Sequence, residues 1–72
     1  APVHLLIVPK RCIVSIAEMA DGDEVLVGKM FRVARDIARD LKISEKGYKL
    51  VIHVGEGGGQ EVPHLHLHLM GG

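Results

Sequence analysis

The sequence predicts a small α+β domain in which one long helix packs on a sheet built from three strand segments. Three observations predict it: a β-branched apolar segment opens the chain, an amphipathic stretch follows, and alternating histidines and leucines close it. The loop before the last strand is short, so the last two strands are expected to be antiparallel neighbours.

Composition limits the classes of function that fit this chain. Its 72 residues allow one domain at most, and nine basic residues balance nine acidic ones, so the formal net charge is zero. A neutral chain without a basic stripe is not expected to bind nucleic acid. Its apolar runs are too short to cross a bilayer and it has no signal-peptide pattern, so we expect no membrane association.

Chain length and cysteine content bear on assembly and location. The single cysteine, Cys12, cannot form an internal disulfide, which fits a reducing cytoplasm. So short a chain is marginally stable alone, and we expect it either to oligomerise or to belong to a longer chain. A start at Ala1 rather than methionine and an abrupt Gly71-Gly72 end suit a fragment.

The first predicted strand runs from Val3 to Val8 and is closed by Pro9. His4 lies near its start, and taken alone it is interpreted as a structural or surface histidine. The basic pair Lys10-Arg11 is interpreted as solvated. A short apolar connection leads from there to the helix.

A helix is predicted from a start signal and an apolar stripe. Asp21, followed three residues later by Glu24, resembles a capping box, and a polar segment ending at Gly47 is the predicted helix exit. Arg32 and Asp36 have the spacing of an ion pair. A second apolar flank indicates a dimer contact and consists of Val25, Val27 and Phe31. The stripe, expected to pack on the sheet, consists of Leu26, Met30, Val33, Ala34, Ile37, Ala38 and Leu41.

The second predicted strand runs from Tyr48 to Val54, and a glycine-rich loop from Gly55 to Gln60 follows it. Glycines let backbone amides approach an oxyanion closely. The loop lacks the Lys-Ser/Thr of a phosphate loop and alone indicates only a turn. Beside a row of histidines, a phosphate site is the favoured interpretation.

The third strand, preceded by Glu61, alternates three histidines with three leucines. His64, His66 and His68 are expected on one face, and the leucines between and after them on the core face. Such a row suits anion binding, proton transfer or nucleophilic attack. Neighbouring histidines on a strand are ~6.6 Å apart, so the three cannot share one zinc ion at ~2.0–2.1 Å. A metal site of His66 and His68 with His53 or Cys12 stays open as an alternative.

These residues resemble a known family. The segment from Gly57 to Gly72, with its Gly-Gly-Gln before His-x-His-x-His, resembles the signature of the histidine-triad (HIT) family. The segments Ala1–Lys10 and Gly47–Ile52 are similar to the nucleotide-binding Hint branch of that family. The resemblance covers nearly the whole chain.

The resemblance implies an antiparallel sheet with a packed helix, assembled as a homodimer, and hydrolysis at the α-phosphorus of a purine nucleotide such as a nucleoside phosphoramidate. His66 matches the family's nucleophile, which forms a nucleotidyl-histidine that water then cleaves. His64 and His68 match the flanking histidines. The resemblance requires neither a metal nor a cofactor. The implied phosphate-binding set is His53, Gly59, Gln60, Glu61, His66 and His68, with backbone amides supplied by residues 59–61.

Four residues depart from the family pattern. His53 stands where the family commonly has Asn or Gln, and Glu61 stands where many relatives have Ser or Thr. Cys12 replaces a histidine that often follows the Pro-Lys segment. Pro63 occupies a place usually held by an aromatic residue. These changes bear on the leaving group and on the rate.

Residues 1–72 are therefore expected to form a single, partial HIT-like domain that lacks terminal segments, among them the region that supplies the nucleoside pocket. The expected substrate is a purine nucleotide (AMP, GMP or a phosphoramidate), handled in the cytoplasm. A non-catalytic nucleotide-binding module is the first alternative. Hydrolysis of dinucleoside polyphosphates, as in the fragile-histidine branch, is a less favoured one.

Overall fold

Three antiparallel strands form the sheet, and the histidine strand lies at its centre. The structure is a computed structural model that describes residues 2–72, so Ala1, where the amino-terminal motif begins, lies outside the described residues. In chain order the strands and the helix are β1 (Val3–Ile7), α1 (Asp23–Asp40), β2 (Tyr48–Val51) and β3 (Leu67–Gly71). Two 3₁₀ turns, at Ile16–Glu18 and Glu56–Gly58, lie in the connections.

The strand order is β1-β3-β2, and the register places Leu69 of β3 between Leu5 of β1 and Leu50 of β2. The predicted antiparallel pairing of the last two strands is confirmed. Because β3 is paired on both sides, its backbone hydrogen bonds are satisfied and its two faces are distinct.

The leucines of the alternating run form the centre of the core. Leu65, Leu67 and Leu69 are 1%, 0% and 0% exposed. The helix packs against them through Met30, Ala34 and Ala38, of which the two alanines lack the bulk that would hold helix and sheet apart. The predicted α+β arrangement, one helix on an antiparallel sheet, is confirmed.

The capping-box prediction for the start of the helix is wrong. Gly22 precedes the first helical residue with a left-handed φ of 92°, and no side chain caps the helix from that position. Instead the buried Asp23 accepts a hydrogen bond from the Ala20 amide at 2.8 Å and forms an ion pair with Arg11. Arg11 is therefore not merely solvated, because it ties the connection after β1 to the start of α1.

The helix also ends earlier than Gly47, which corrects the predicted exit. Lys42 has a left-handed φ of 60°, and the amides of Lys42 and Ile43 donate to the carbonyls of Arg39 and Ala38 at 3.1 and 3.0 Å. This is the Schellman pattern of a helix terminus. Ile43 then packs on Ala38 in the core, so burial offsets the strain that a left-handed lysine carries.

Several predicted boundaries are shorter in the structure. Val33 and Leu41 of the predicted stripe are exposed, whereas Val27, assigned to the second flank, packs against the core. The first two strands end at Ile7 and Val51, before the predicted Val8 and Val54. The paired part of the histidine strand begins at Leu67, although the burial alternation already holds at residues 64–66. The predicted Arg32–Asp36 ion pair is confirmed at 3.7 Å.

No helix among residues 2–72 is both long enough and apolar enough to cross a membrane.

Candidate active site

Four imidazoles meet on the face of the sheet opposite the helix. His68 lies at their centre, with ring-centroid distances of 5.0 Å to His66, 5.1 Å to His53 and 5.3 Å to His4. These rings come from three parts of the chain: His4 from β1, His53 from just beyond β2, and the other two from the alternating run. Of the three histidines expected on one face of the alternating run, His66 and His68 lie in this cluster, whereas the ring of His64 is not among those that adjoin His68.

His66 has a defined proton arrangement. Its Nδ1 lies 2.7 Å from the carbonyl oxygen of His64. Because a carbonyl can only accept, Nδ1 carries the proton, and in the neutral ring Nε2 is left with a free lone pair. A lone pair held in a fixed direction by the protein's own backbone is the property that a nitrogen nucleophile needs.

His68 is held by His4. His68 Nδ1 and His4 Nε2 lie 3.0 Å apart, so one of the two rings donates to the other. The second ring nitrogen of His68, Nε2, is buried and has no hydrogen-bond partner among residues 2–72. Burial lowers the pKa of His68, and the neighbouring His66, His53 and His4 lower it further. The centre of the cluster therefore stays neutral at physiological pH.

His4 belongs to the histidine cluster, a position that its interpretation as a structural or surface histidine did not predict. Its contact with His68 joins residues 64 positions apart in the chain. The register pairs Leu6 with His68, so His4 sits two residues along the same face of β1. Only the register of β1 on β3 could have identified it, and the sequence pattern does not contain that register.

His64 lies at the other end of the row and bonds to the connection after β1. Its Nε2 donates to the Pro9 carbonyl at 3.3 Å, and the following amide, that of Leu65, donates to the Ile13 carbonyl at 2.7 Å. These bonds fasten the stretch before β3 to the connection after β1. They position the His64 carbonyl that orients the ring of His66.

The glycine-rich loop is tied together by Gln60. Its side chain accepts from the Gly55 amide at 2.9 Å and donates to the Val14 and Val62 carbonyls at 2.7 and 3.0 Å. These bonds fix the backbone on both sides of Glu61. Gln60 thus supports the loop through its side chain, a role the sequence pattern did not indicate.

The loop amides are mostly engaged within the loop. The Gly59 amide donates to the Glu56 carbonyl and the Gln60 amide to the Gly55 carbonyl, both at 3.0 Å. Of the three amides implied by the family resemblance, only that of Glu61 makes no hydrogen bond within the described chain. Of the three amides, only that of Glu61 is therefore available to donate to a bound anion.

His53 holds the loop against the sheet. Its Nδ1 donates to the Gly58 carbonyl at 2.8 Å, which leaves Nε2 as the nitrogen without the proton in the neutral ring. Gly59 follows with a left-handed φ of 88°, and a Cβ there would lie 3.4 Å from His53 Nδ1. The left-handed turn favours glycine at this position, whereas a Cβ would make only an ordinary contact with the imidazole.

Two cavities flank His66. An apolar one of about 200 Å³ is lined by Leu6, Val8, Val62, His64 and His66. A polar one of about 230 Å³ is lined by His53, Gly59, Glu61, Val62, His66 and His68. The nucleophile candidate thus stands between a surface suited to an aromatic or aliphatic group and a surface suited to a charged one.

The structure also bears on the metal-site alternative. Across residues 2–72, no three His, Cys, Asp or Glu side chains are grouped so that they could hold one metal ion. Cys12, one of the ligands considered for such a site, is exposed.

Comparison with known proteins gives consistent matches over the whole chain. A purine nucleoside phosphoramidase from Escherichia coli (strain K12) and an uncharacterized HIT-like protein from Buchnera aphidicola (subsp. Baizongia pistaciae) are each 42% identical over 72 residues. All of this chain is covered, against 60% and 64% of those two proteins. The chain therefore spans less than two thirds of the length of these curated relatives.

Solved structures agree with the sequence matches. A HIT family hydrolase from Legionella pneumophila superposes with a TM-score of 0.96 at 49% identity, and all of this chain covers 64% of that one. A histidine triad protein from Clostridium difficile gives 0.96 at 35% identity, with 63% of its chain covered. The family model described as the HIT domain matches residues 1–72. The chain therefore belongs to the HIT domain family.

Proposed function

We propose that this chain carries the catalytic centre of a purine nucleotide-binding hydrolase that acts at the α-phosphorus of nucleoside phosphoramidates, with His66 as the nucleophile. The observation that carries the proposal is the hydrogen bond from His66 Nδ1 to the His64 carbonyl at 2.7 Å. That bond leaves Nε2 unprotonated in the neutral ring, so the side chain is ready to attack without a separate base.

The reaction has two displacements. His66 Nε2 attacks phosphorus, the phosphorus–nitrogen bond of the substrate breaks, and the amine leaves with the bonding electron pair and takes up a proton. Water then attacks the phosphorus of the nucleotidyl-histidine and gives up a proton to solvent, the bond to Nε2 breaks, and the nucleoside monophosphate is released with His66 neutral again. Splitting one difficult step into two easier ones is the general benefit of nucleophilic catalysis.

The surroundings of His66 support this assignment. The apolar cavity beside Leu6 and Val8 suits a nucleoside, while the polar cavity suits the phosphoryl group. The Glu61 amide makes no bond within the described chain and can donate to a phosphoryl oxygen.

The choice of substrate rests on similarity. The E. coli relative, named a purine nucleoside phosphoramidase, is 42% identical over the chain, which covers 60% of it. We extend that substrate class to the complete protein that contains this chain. A cytoplasmic homodimer that needs no metal or cofactor completes the proposal, the dimer being supported by the exposed Val25 and Phe31 of α1.

Hydrolysis of adenosine 5′-phosphoramidate by the complete protein tests the proposal. We expect AMP as the product and, in reactions quenched with alkaline denaturant and followed by mass spectrometry at high pH, a transient adenylated peptide that contains His66, because a phosphorus–nitrogen bond to histidine survives alkali but not acid. His66→Asn is expected to reduce turnover by at least about 10³-fold, because removing the nucleophile of a catalytic unit removes most of its rate enhancement.

AMP affinity, measured by calorimetry, is the control for folding and binding. A hydrolase retains AMP affinity in His66→Asn within a few-fold while turnover is lost. A non-catalytic nucleotide-binding module instead binds AMP and shows no turnover in the unsubstituted protein, which would contradict the proposal.

A further inference from the structure

Glu61 is the one acidic residue among those that line the polar cavity beside His66, and its side chain is exposed at the rim. The other residues that line it are imidazoles, a glycine and a valine. The ion pairs within residues 2–72 lie elsewhere, between Arg11 and Asp23 and around Asp36 on the helix, so Glu61 has no cationic partner in the described chain. The cavity proposed to receive a phosphoryl group therefore also presents an unpaired negative charge.

The backbone that carries Glu61 is held in place by the fold. The side chain of Gln60 bonds to Gly55, Val14 and Val62, which fixes the backbone immediately before and after Glu61. The amide and the side chain of Glu61 are both available to a substrate: the amide makes no hydrogen bond within the described chain, and the side chain is exposed. A carboxylate at the rim of the cavity and an amide available to an anion can therefore act on different parts of one substrate.

Electrostatics decides which part of the substrate suits the carboxylate. A phosphoryl group is anionic, and placing it near an unpaired carboxylate is unfavourable. The imidazole at the centre of the cluster, His68, is kept neutral by burial and by its neighbours, so it does not offset the charge of Glu61. A positive charge on the group that leaves phosphorus would offset it.

From this geometry we propose that Glu61 is a specificity-determining residue that favours leaving amines carrying a second, protonated amino group. The inference rests on the proposed phosphoramidate hydrolysis and names the class of leaving group for the same site. The cationic end of such an amine pairs with the exposed carboxylate at the rim of the cavity, while the phosphoryl group lies against His66 and the Glu61 amide.

The test uses two adenosine 5′-phosphoramidates of matched size. One is made from ethylenediamine, whose far end is an ammonium group, and the other from n-propylamine, whose far end is a methyl group. The readout is the ratio of their kcat/KM values in the complete protein and in Glu61→Gln. Comparing ratios cancels the intrinsic difference in leaving-group reactivity, which is the same for both proteins.

Glu61→Gln is expected to lower the ratio of ethylenediamine to propylamine substrate by roughly two- to five-fold, the effect of a solvent-exposed ion pair. The matched control is Glu56→Gln, a carboxylate of the same loop that does not line the cavity, and its ratio is expected to equal that of the unsubstituted protein. The preference should also shrink as salt rises, because exposed charges are screened.

A ratio unchanged by Glu61→Gln, or lowered equally by Glu56→Gln, would overturn the inference. The affinities of both compounds for His66→Asn and for His66→Asn with Glu61→Gln give the same comparison without turnover. If the unsubstituted protein hydrolyses neither compound but Glu61→Gln removes the binding preference, the hydrolase proposal fails, whereas the preference of Glu61 for a cationic amine substituent stands as a binding preference.

Discussion

At the scale of single residues, the protonation of His68 links the site to stability. Burial lowers the pKa of His68 in the folded protein, and its three neighbouring imidazoles lower it further. The unfolded chain therefore takes up a proton on this residue at a higher pH than the folded protein does. Stability from this group is fully present above the ordinary histidine pKa of about 6.5 and is lost as pH falls below that value.

We accordingly expect the free energy of unfolding, measured in urea, to fall between about pH 7.5 and about pH 5.5, and to fall less in His68→Gln. His64→Gln is the control, since it removes one imidazole from the same row while His68 keeps the three neighbours that act on it. Equal slopes against pH in the unsubstituted protein and His68→Gln would show that His68 is not the linked group.

The positions predicted from the sequence agree best with the structure where a local pattern decides which face of an element a side chain occupies. The alternation from His64 to Leu69 is enough to put the leucines in the core and the histidines on the other face, because side chains on a strand alternate. Contacts between distant segments are different. The bonds of His4 to His68 and of Gln60 to Val14 join residues 64 and 46 positions apart, and no periodicity within either segment encodes them.

At the scale of elements, the start of α1 depends on one buried acid. The carboxylate of Asp23 accepts from the Ala20 amide and pairs with Arg11, and it is 2% exposed. Asp23→Ala leaves that amide without its partner and releases the connection after β1. We expect a loss of about 1–2 kcal/mol in the free energy of unfolding, measured by urea denaturation.

Asp21→Ala provides the matched control, because Asp21 is the residue that the capping-box pattern selects and it is exposed. Its loss is expected to stay below about 0.5 kcal/mol, as for an ordinary surface substitution. The reverse order, with Asp21→Ala the more destabilising, would show that the carboxylate two residues earlier caps the helix in solution.

The carboxyl-terminal end of the helix shows why sequence patterns did not predict where the helix ends. Glycine is the residue expected at a left-handed helix terminus, yet Lys42 takes that conformation while Gly47 lies five residues later. Tertiary packing stabilises this early helix end, because it lets Ile43 enter the core beside Leu69. Propensity is local, and burial by a distant strand can outweigh it.

At the scale of the whole molecule, the fold class was predictable because three independent patterns agree. Period-two alternation, a helical apolar stripe and turn glycines each describe their own segment, and together they specify a helix on a sheet. The strand order was not predictable in the same way. β1 lies beside β3 rather than beside β2, and that choice depends on side-chain packing between segments distant in sequence.

The chain leaves apolar surface and sheet edges uncovered, and both favour assembly with a second copy. Val25 and Phe31 on α1 are 62% and 40% exposed, and within residues 2–72 the outer edges of β1 and β2 are unpaired. So small a core gains stability from burying such surface in a second copy. We expect sedimentation of the complete protein at low micromolar concentration to give twice the mass of one chain.

Phe31→Glu is expected to shift that protein toward the monomer, because a charge placed in an apolar contact must be desolvated when the dimer forms. Val14→Glu is the matched control: it adds the same charge at a 44% exposed apolar residue in the connection between β1 and α1, outside the helix. Loss of the dimer in both variants would point to net charge, not to the helix flank. A monomeric unsubstituted protein would mean that the exposed phenylalanine serves no contact between copies.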